Sequence, residues 1–179
     1  MGIAIARSPQ PSAEPSTYPW FALTIKPRHE HAAAASLAGR GYESFLPLYR
    51  TTHRWSDRLK TVDLPLFPGY VFCRFDYFHR LPVLTTPGVF SVVSFGGGPH
   101  PVDPAELAAI QEIVRSGVPA EPWPFLRAGQ RVRVERGPLA GTEGILLQIK
   151  GHSRIVVSVS ILQRSVAAQV DRDCISPIS

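Results

Sequence analysis

Residues 49 to 60 read YRTTHRWSDRLK, a stretch dense in side chains that could bind a charged partner. Arg50, Arg54, Arg58 and Lys60 surround the rings of Tyr49 and Trp55. Cations attract a phosphate backbone, and flat rings set among them offer faces to unstacked bases. Arg50, Arg54, Trp55, Arg58 and Lys60 are therefore candidate nucleic-acid-binding residues. The same composition also describes an ordinary charged hairpin with Trp55 folded onto its own domain, and Asp57 fits that plainer reading. Both readings stand at this level.

Reaction chemistry has weaker material. His29 and His31 lie two apart, and on a helix such a pair points in different directions, so they are not the i, i+4 pair that holds zinc. The histidines at 53, 79, 100 and 152 have no carboxylate or cysteine at ligand spacing. The stretch FGGGPH lacks the Lys-Ser/Thr that completes a phosphate loop, and no serine occupies a nucleophile elbow. Cys73 and Cys174 fit neither a metal nor a redox motif; Cys73 reads as a small core residue. No catalytic residue, cofactor or metal site is expected, and binding is the function class that remains.

The bulk numbers agree. The chain has 179 residues, 44% hydrophobic and 18% charged, with a net charge of +5 and a pI near 9.6. That is a globular composition, long enough for one domain or two small ones, with a basic balance that tolerates nucleic acid without requiring it. No apolar run approaches bilayer-spanning length, so no membrane partner is expected. The opening MGIAIARSPQPSAEPST lacks a signal-peptide core and reads as a Pro- and Ser-rich disordered tail over 1–17, which leaves a reduced, cytoplasmic chain as the expectation.

Elements that could position these residues follow in order. Trp20 to Ile25 has the content of a buried strand ended by Pro27, and the Ala run after RHEH favours a helix closed by Gly39 or Gly41. A strand over about 42–48 and the polar stretch lead to LPLFPGYVFCRF, where the Phe-Pro-Gly corner starts another strand. Aromatics on both sides of that strand imply that both faces are covered, or that one waits for a partner. A short helix over 79–85, a strand VFSVVSF and a triple glycine come next. Asp103, Pro104 and Glu106 then signal a capped helix whose Leu107, Ile110, Ile113 and Val114 share a face. Residues 118–126 are Pro-rich and read as a linker. Four or five short strands fill the rest, with Gly137 and Gly144 placed for positive φ or close backbone approach. The fold class is α+β followed by a small barrel.

At this point the order of motifs becomes recognisable. LRAGQRVRVERGPLAGTEGILLQI resembles a KOW motif, with Leu139 in place of its usual Phe. WFALTIKPRHEHAAAASL, LPLFPGYVFCRF, TPGVFSVVSFGG and PVDPAELAAI are similar, in sequence order, to the amino-terminal domain of the NusG family. The likeness runs from Tyr18 to the end of the chain. It implies an α/β sandwich with a mostly antiparallel sheet over 18–117, a linker over 118–126, and an SH3-like KOW β-barrel over 127–179.

The resemblance also implies a function: an elongation or antitermination factor, a monomer without cofactor, that binds the clamp helices of RNA polymerase across the DNA cleft and suppresses pausing or termination. It assigns Trp20, Tyr49, Phe67, Tyr70 and Phe72 to the polymerase face, with core packing as the alternative for each. His79 falls at a further polymerase contact of RfaH-like members. Ile161, Leu162 and Arg164 fall where the KOW domain docks Rho or a small-subunit ribosomal protein. The non-template DNA strand is the candidate partner of the basic stretch. ESFLPLYR and PLFPGYVF look more like the RfaH-like and polysaccharide-operon antiterminators than like the housekeeping factor. A ribosome-associated KOW protein is the alternative from another class.

Overall fold

The computed structural model describes residues 17–178. The tail expected over 1–17 therefore lies outside the described residues except for Thr17. Strands β1 (Trp20–Ile25), β2 (Glu43–Phe45), β5 (Tyr70–Arg74) and β6 (Val89–Val92) form a four-stranded sheet in the order β2-β5-β1-β6, antiparallel at each pairing. Strands β3 (Leu48–Trp55) and β4 (Arg58–Pro65) form a separate two-stranded ribbon, and β7 (Ser94–Phe95) with β8 (Gly98–Pro99) a short second one. VFSVVSF is thus divided between β6 and β7 rather than one strand.

Alternation answers why β5 carries apolar residues on both sides. Val71 and Cys73 join Phe21, Leu23 and Ile25 on one face, where helix α1 (Glu30–Gly39) covers them with Ala33 and Leu37. Phe72 joins Trp20 and Ala22 in the cluster on the other face, with Leu107, Ile110 and Ile113 of helix α3 (Pro104–Ser116). Each of those three side chains contributes about 1.5–3 kcal/mol by leaving water. The chain itself covers both faces.

The corner before β5 is a tight turn. The Phe67 carbonyl accepts from Tyr70 N–H at 3.1 Å, Pro68 supplies the preset φ, and Gly69 has φ +85°, the pattern of a type II turn. Buried Glu30 accepts from Gly69 N–H at 3.0 Å, pinning this corner to the start of α1. After β5, a 3₁₀ turn (Tyr77–His79) runs into the one-turn helix α2 (Leu81–Leu84), whose Pro82 sits in the first turn where a missing N–H does no harm.

The remainder is a six-stranded antiparallel sheet, β14-β10-β11-β12-β13-β9. It contains β10 (Arg131–Val134), β11 (Glu143–Ile149), β12 (His152–Val159), β13 (Arg164–Gln169) and β14 (Ile175–Pro177). The expected barrel strands are all present, but hydrogen bonding leaves the sheet open, with β14 and β9 at its edges. The sixth strand, β9 (Ala120–Pro124), lies within the segment read as a linker and pairs with β13 from Ala120↔Ala168 to Pro124↔Arg164. Prolines fit there because β9 is an edge strand whose outer side needs no N–H. Only Val118 and Pro119 separate it from Gly117, the left-handed residue that ends α3. So short a tether holds the sheet against α3, and one core cluster runs from Trp20 and Phe72 through α3 to Val157 and Val159 of β12. Among the described residues no helix is long and apolar enough to cross a membrane.

Candidate binding surfaces

The residues assigned to a polymerase face do converge on one side of the main sheet, but at different depths. Phe67 and Phe72 are fully buried and meet edge to face, with ring centroids 5.7 Å apart. Trp20 is buried beneath the Arg74 guanidinium, which lies 4.9 Å from its ring centroid. These three shape the surface from below, and the half-buried rings of Tyr49 and Tyr70 are what that side presents, next to Phe45.

His79 stands apart from that face, on the 3₁₀ turn after β5. Its Nδ1 donates to Asp76 Oδ2 at 2.6 Å, and Asp76 Oδ1 caps the turn by accepting from Phe78 N–H at 2.9 Å. Those two bonds, the His79 one first, hold the Asp76 carboxyl below the usual carboxylate range. The capped turn presents Phe78 at 88% exposure, with Leu81 exposed beside it. The sequence reading gave neither residue a role. The only available signal was their apolar character beside Asp76, His79 and Arg80, and a local pattern cannot tell an outward ring from an inward one.

The β3–β4 ribbon sorts the basic stretch into two faces, because residues opposite one another across a ladder share a side. Tyr49↔Leu64, Thr51↔Val62, His53↔Lys60 and Trp55↔Arg58 form one face. Arg50↔Asp63, Thr52↔Thr61 and Arg54↔Leu59 form the other. Trp55, Arg58 and Lys60 are therefore brought together and joined by His53, which the sequence reading left unassigned. Arg50 and Arg54 are on the reverse side, where Arg50 pairs with Asp63 at 3.1 Å.

In the second sheet, Ser160–Leu162 forms a 3₁₀ turn between β12 and β13. Leu162 is buried, Ile161 is half-buried against the shared core, and Arg164 is exposed at the start of β13. Glu106 of α3 accepts from Ser160 N–H at 3.0 Å and Ser160 Oγ at 2.6 Å. This candidate docking segment is therefore engaged with the first domain. A cleft of about 860 Å³ opens beside it, between Ala105, Ala109 and Glu112 of α3 and, opposite them, Arg127 of the β9–β10 loop with Arg131 and Glu143 of the second sheet. Among the described residues no group of three or more His, Cys, Asp or Glu side chains is placed to hold a metal ion.

Comparison with known proteins gives these surfaces a context. A family model described as transcription termination factor nusG matches residues 18–111. Three curated relatives are named transcription termination/antitermination protein NusG. That of Thermus thermophilus is 26% identical over 174 residues, 85% of this chain and 94% of its own. That of Deinococcus radiodurans is 32% identical over 129 residues, 62% and 67% of the two chains. That of Helicobacter pylori strain J99 is 26% identical over 118 residues, 63% of this chain and 66% of its own. Among solved structures, one described as domain interaction in Thermotoga maritima NusG superposes with a TM-score of 0.56. It is 19% identical and covers 91% of this chain and 98% of its own, a likeness of fold.

Proposed function

The chain belongs to the NusG family, and from that premise we propose that it binds RNA polymerase during elongation and suppresses pausing or termination. The observation that carries this reading is the family match over 18–111, the segment whose folded form gathers Tyr49 and Tyr70 on one side of the main sheet. Half-buried rings on a rigid sheet are suited to a helical partner, because they add contact area at little entropic cost. Phe67, Phe72 and Trp20 hold those rings in place from beneath. Phe78, His79 and Leu81 form a second contact on the capped turn.

The finer reading is an operon-specific antiterminator rather than a housekeeping factor. It is supported by ESFLPLYR and PLFPGYVF. With Ser160 tied to Glu106 and Leu162 buried, that docking segment reaches Rho or a ribosomal protein only after the two domains part.

The test is binding of the full chain to purified elongation complexes, with a Tyr49→Ala, Tyr70→Ala double variant beside it. Both positions are half-exposed, so the variant should keep its fold, whereas Phe67→Ala would remove a buried ring at a cost of about 3–5 kcal/mol and confound the result. Loss of binding in the folded variant is the expected result. Absence of binding by the native chain would overturn the proposal. Pull-down of Rho or a small-subunit ribosomal protein by the second domain would favour the housekeeping role. Salt-sensitive binding to structured ribosomal RNA would favour the ribosomal one.

A further inference from the structure

We propose that the cleft between α3 and the second sheet is a docking site for the chain's own residues 2–7, Gly-Ile-Ala-Ile-Ala-Arg, so that one short segment touches both domains. The inference goes beyond the function proposed above and does not depend on it.

The cleft has the size and lining of a binding site. Its volume of about 860 Å³ lies within the range of ligand clefts, roughly 300–1,000 Å³. Ala105 and Ala109 line the α3 wall with single methyl groups, which leaves depth between helix and sheet. Leu126, Ile145 and Val156 supply apolar surface opposite them. Branched aliphatic side chains entering here would meet carbon on both sides. Charge sits at the rims. On the helix side Glu112 is paired at 2.9 Å with Arg115, whose side chain is 73% exposed. On the other side Arg127 stands 5.1 Å from the Phe125 ring centroid and forms no ion pair among the described residues. The site therefore suits a short peptide with an apolar middle and a cationic end. Its carbonyl oxygens accept from Arg127, and its cation meets Glu112.

Sequence and connectivity select which peptide. Between Gly2 and Thr17, Ile3 and Ile5 are the only large aliphatic residues, and Arg7 follows two positions on. Residues 8–16, SPQPSAEPS, hold no such side chain, and their proline content reads as a spacer. The described residues begin at Thr17, three positions before Trp20, whose carbonyl accepts from Val102 N–H at 2.8 Å. Val102 in turn is three positions before Ala105, where the cleft wall starts. At about 3.6 Å per residue, Thr17 and Ala105 lie within about 27 Å of each other. The ten residues from Thr17 back to Arg7 reach about 33 Å. The segment is thus tethered at the mouth of the cleft. A short tether supplies an effective concentration of about 1 mM, which favours this segment over that of a second copy.

The test compares amide spectra of the full chain with those of a chain lacking residues 2–7 and of an Ile3→Asp, Ile5→Asp variant. Both changes fall outside the described residues, and unmoved Leu23 and Phe72 amides report that the fold is kept. The Ala109 and Ile145 amides should move in both variants. The peptide GIAIAR, added at about 1 mM to the shortened chain, should move them back, whereas GDADAR should not. Ala105→Trp, which places a ring in the cleft from an exposed position, should weaken the peptide at least tenfold. Cleft amides unmoved by the deletion, changes confined to another surface, or equal effects of the two peptides would overturn the proposal. Shifts that depend on chain concentration would also overturn it, by assigning the segment to a second copy.

Discussion

Glu106 and Ser160 are 54 residues apart in sequence, yet the carboxylate takes both hydrogen bonds the serine can donate, from N–H at 3.0 Å and from Oγ at 2.6 Å. One side chain thus joins the first turn of α3 to the 3₁₀ turn that leads into β13. Asp103 still caps α3 by accepting from Ala105 N–H at 2.7 Å, so removing Glu106 should leave the helix intact. Hydrogen bonds to a charged group contribute about 1.5–3 kcal/mol when sheltered, and about 1 kcal/mol is expected at this rim. Glu106→Ala should raise the radius of gyration in solution scattering as the domains part more often. In a double-mutant cycle, Ser160→Ala should add almost nothing to Glu106→Ala.

Strand β9 holds the domains together by shortening their tether. Its Glu121 pairs with Arg154 of β12 across the intervening strand β13. Glu121→Arg puts like charges together and should release β9 from β13 while the strands from β10 to β14 stay folded. Chymotrypsin should then cut after Phe125 several times faster than in the native chain. Equal cutting rates would mean that the ion pair does not hold the strap.

The capped turn that carries Phe78 should respond to acid. Asp76 has a folded pKa lowered by His79 and by the Phe78 N–H. A lowered value contributes stability that is present above the unfolded pKa of about 3.9 and is lost as pH falls through the folded one. The Phe78 amide should lose exchange protection as pH drops below about 4. Asp76→Asn should show no such transition.

The two cysteines should react unequally. Burial, reinforced by Glu43, pushes the Cys73 thiol up to about 12, while Cys174 is only half-buried. A thiol reagent at pH 8 should label Cys174 in the native chain and reach Cys73 only after unfolding. The raised value also sets a sign: its contribution to stability is intact below the unfolded pKa of about 8.5 and declines as pH rises toward 12. Cys73→Ala should flatten that alkaline decline.

Where a signal was local, the sequence carried it. The Phe-Pro-Gly turn, the Asp103 cap and the apolar face of α3 each depend on neighbours within a few residues. Three features depended on distant partners instead. Prolines 122 and 124 argue for a linker until β13 is known to lie on one side of them only. Glu106 has the spacing of a capping box, but its carboxylate is drawn to a residue another domain supplies. The depth of Phe67 and Phe72 is fixed by α3, so an aromatic run cannot announce by itself which rings stay outside. The faces of the β3–β4 ribbon were closer to legible: reading Ser56-Asp57 as a two-residue turn fixes Trp55 opposite Arg58, and alternation does the rest.

The KOW-like segment makes a sharp prediction because its glycines serve for different reasons. Gly144 faces Gly-only space in β11: a Cβ there would stand 2.5 Å from the Val156 carbonyl oxygen and 2.6 Å from Ile155 Cγ1. Backbone oxygen cannot swing aside, so Gly144→Ala must push β11 and β12 apart in the middle of the sheet. Overpacking of this kind costs about 1–3 kcal/mol, and a separated ladder adds to it. Gly137 is different. It has φ +93° with nothing within 4 Å of the added atom, so Gly137→Ala meets only backbone strain, of order 1 kcal/mol. Denaturant titration should therefore rank Gly144→Ala as the more damaging change. Amide exchange should show its loss spread along β11 and β12, while that of Gly137→Ala stays at the turn. The opposite ranking would mean that the sheet yields at Gly144 and that its curvature is not set by close approach there.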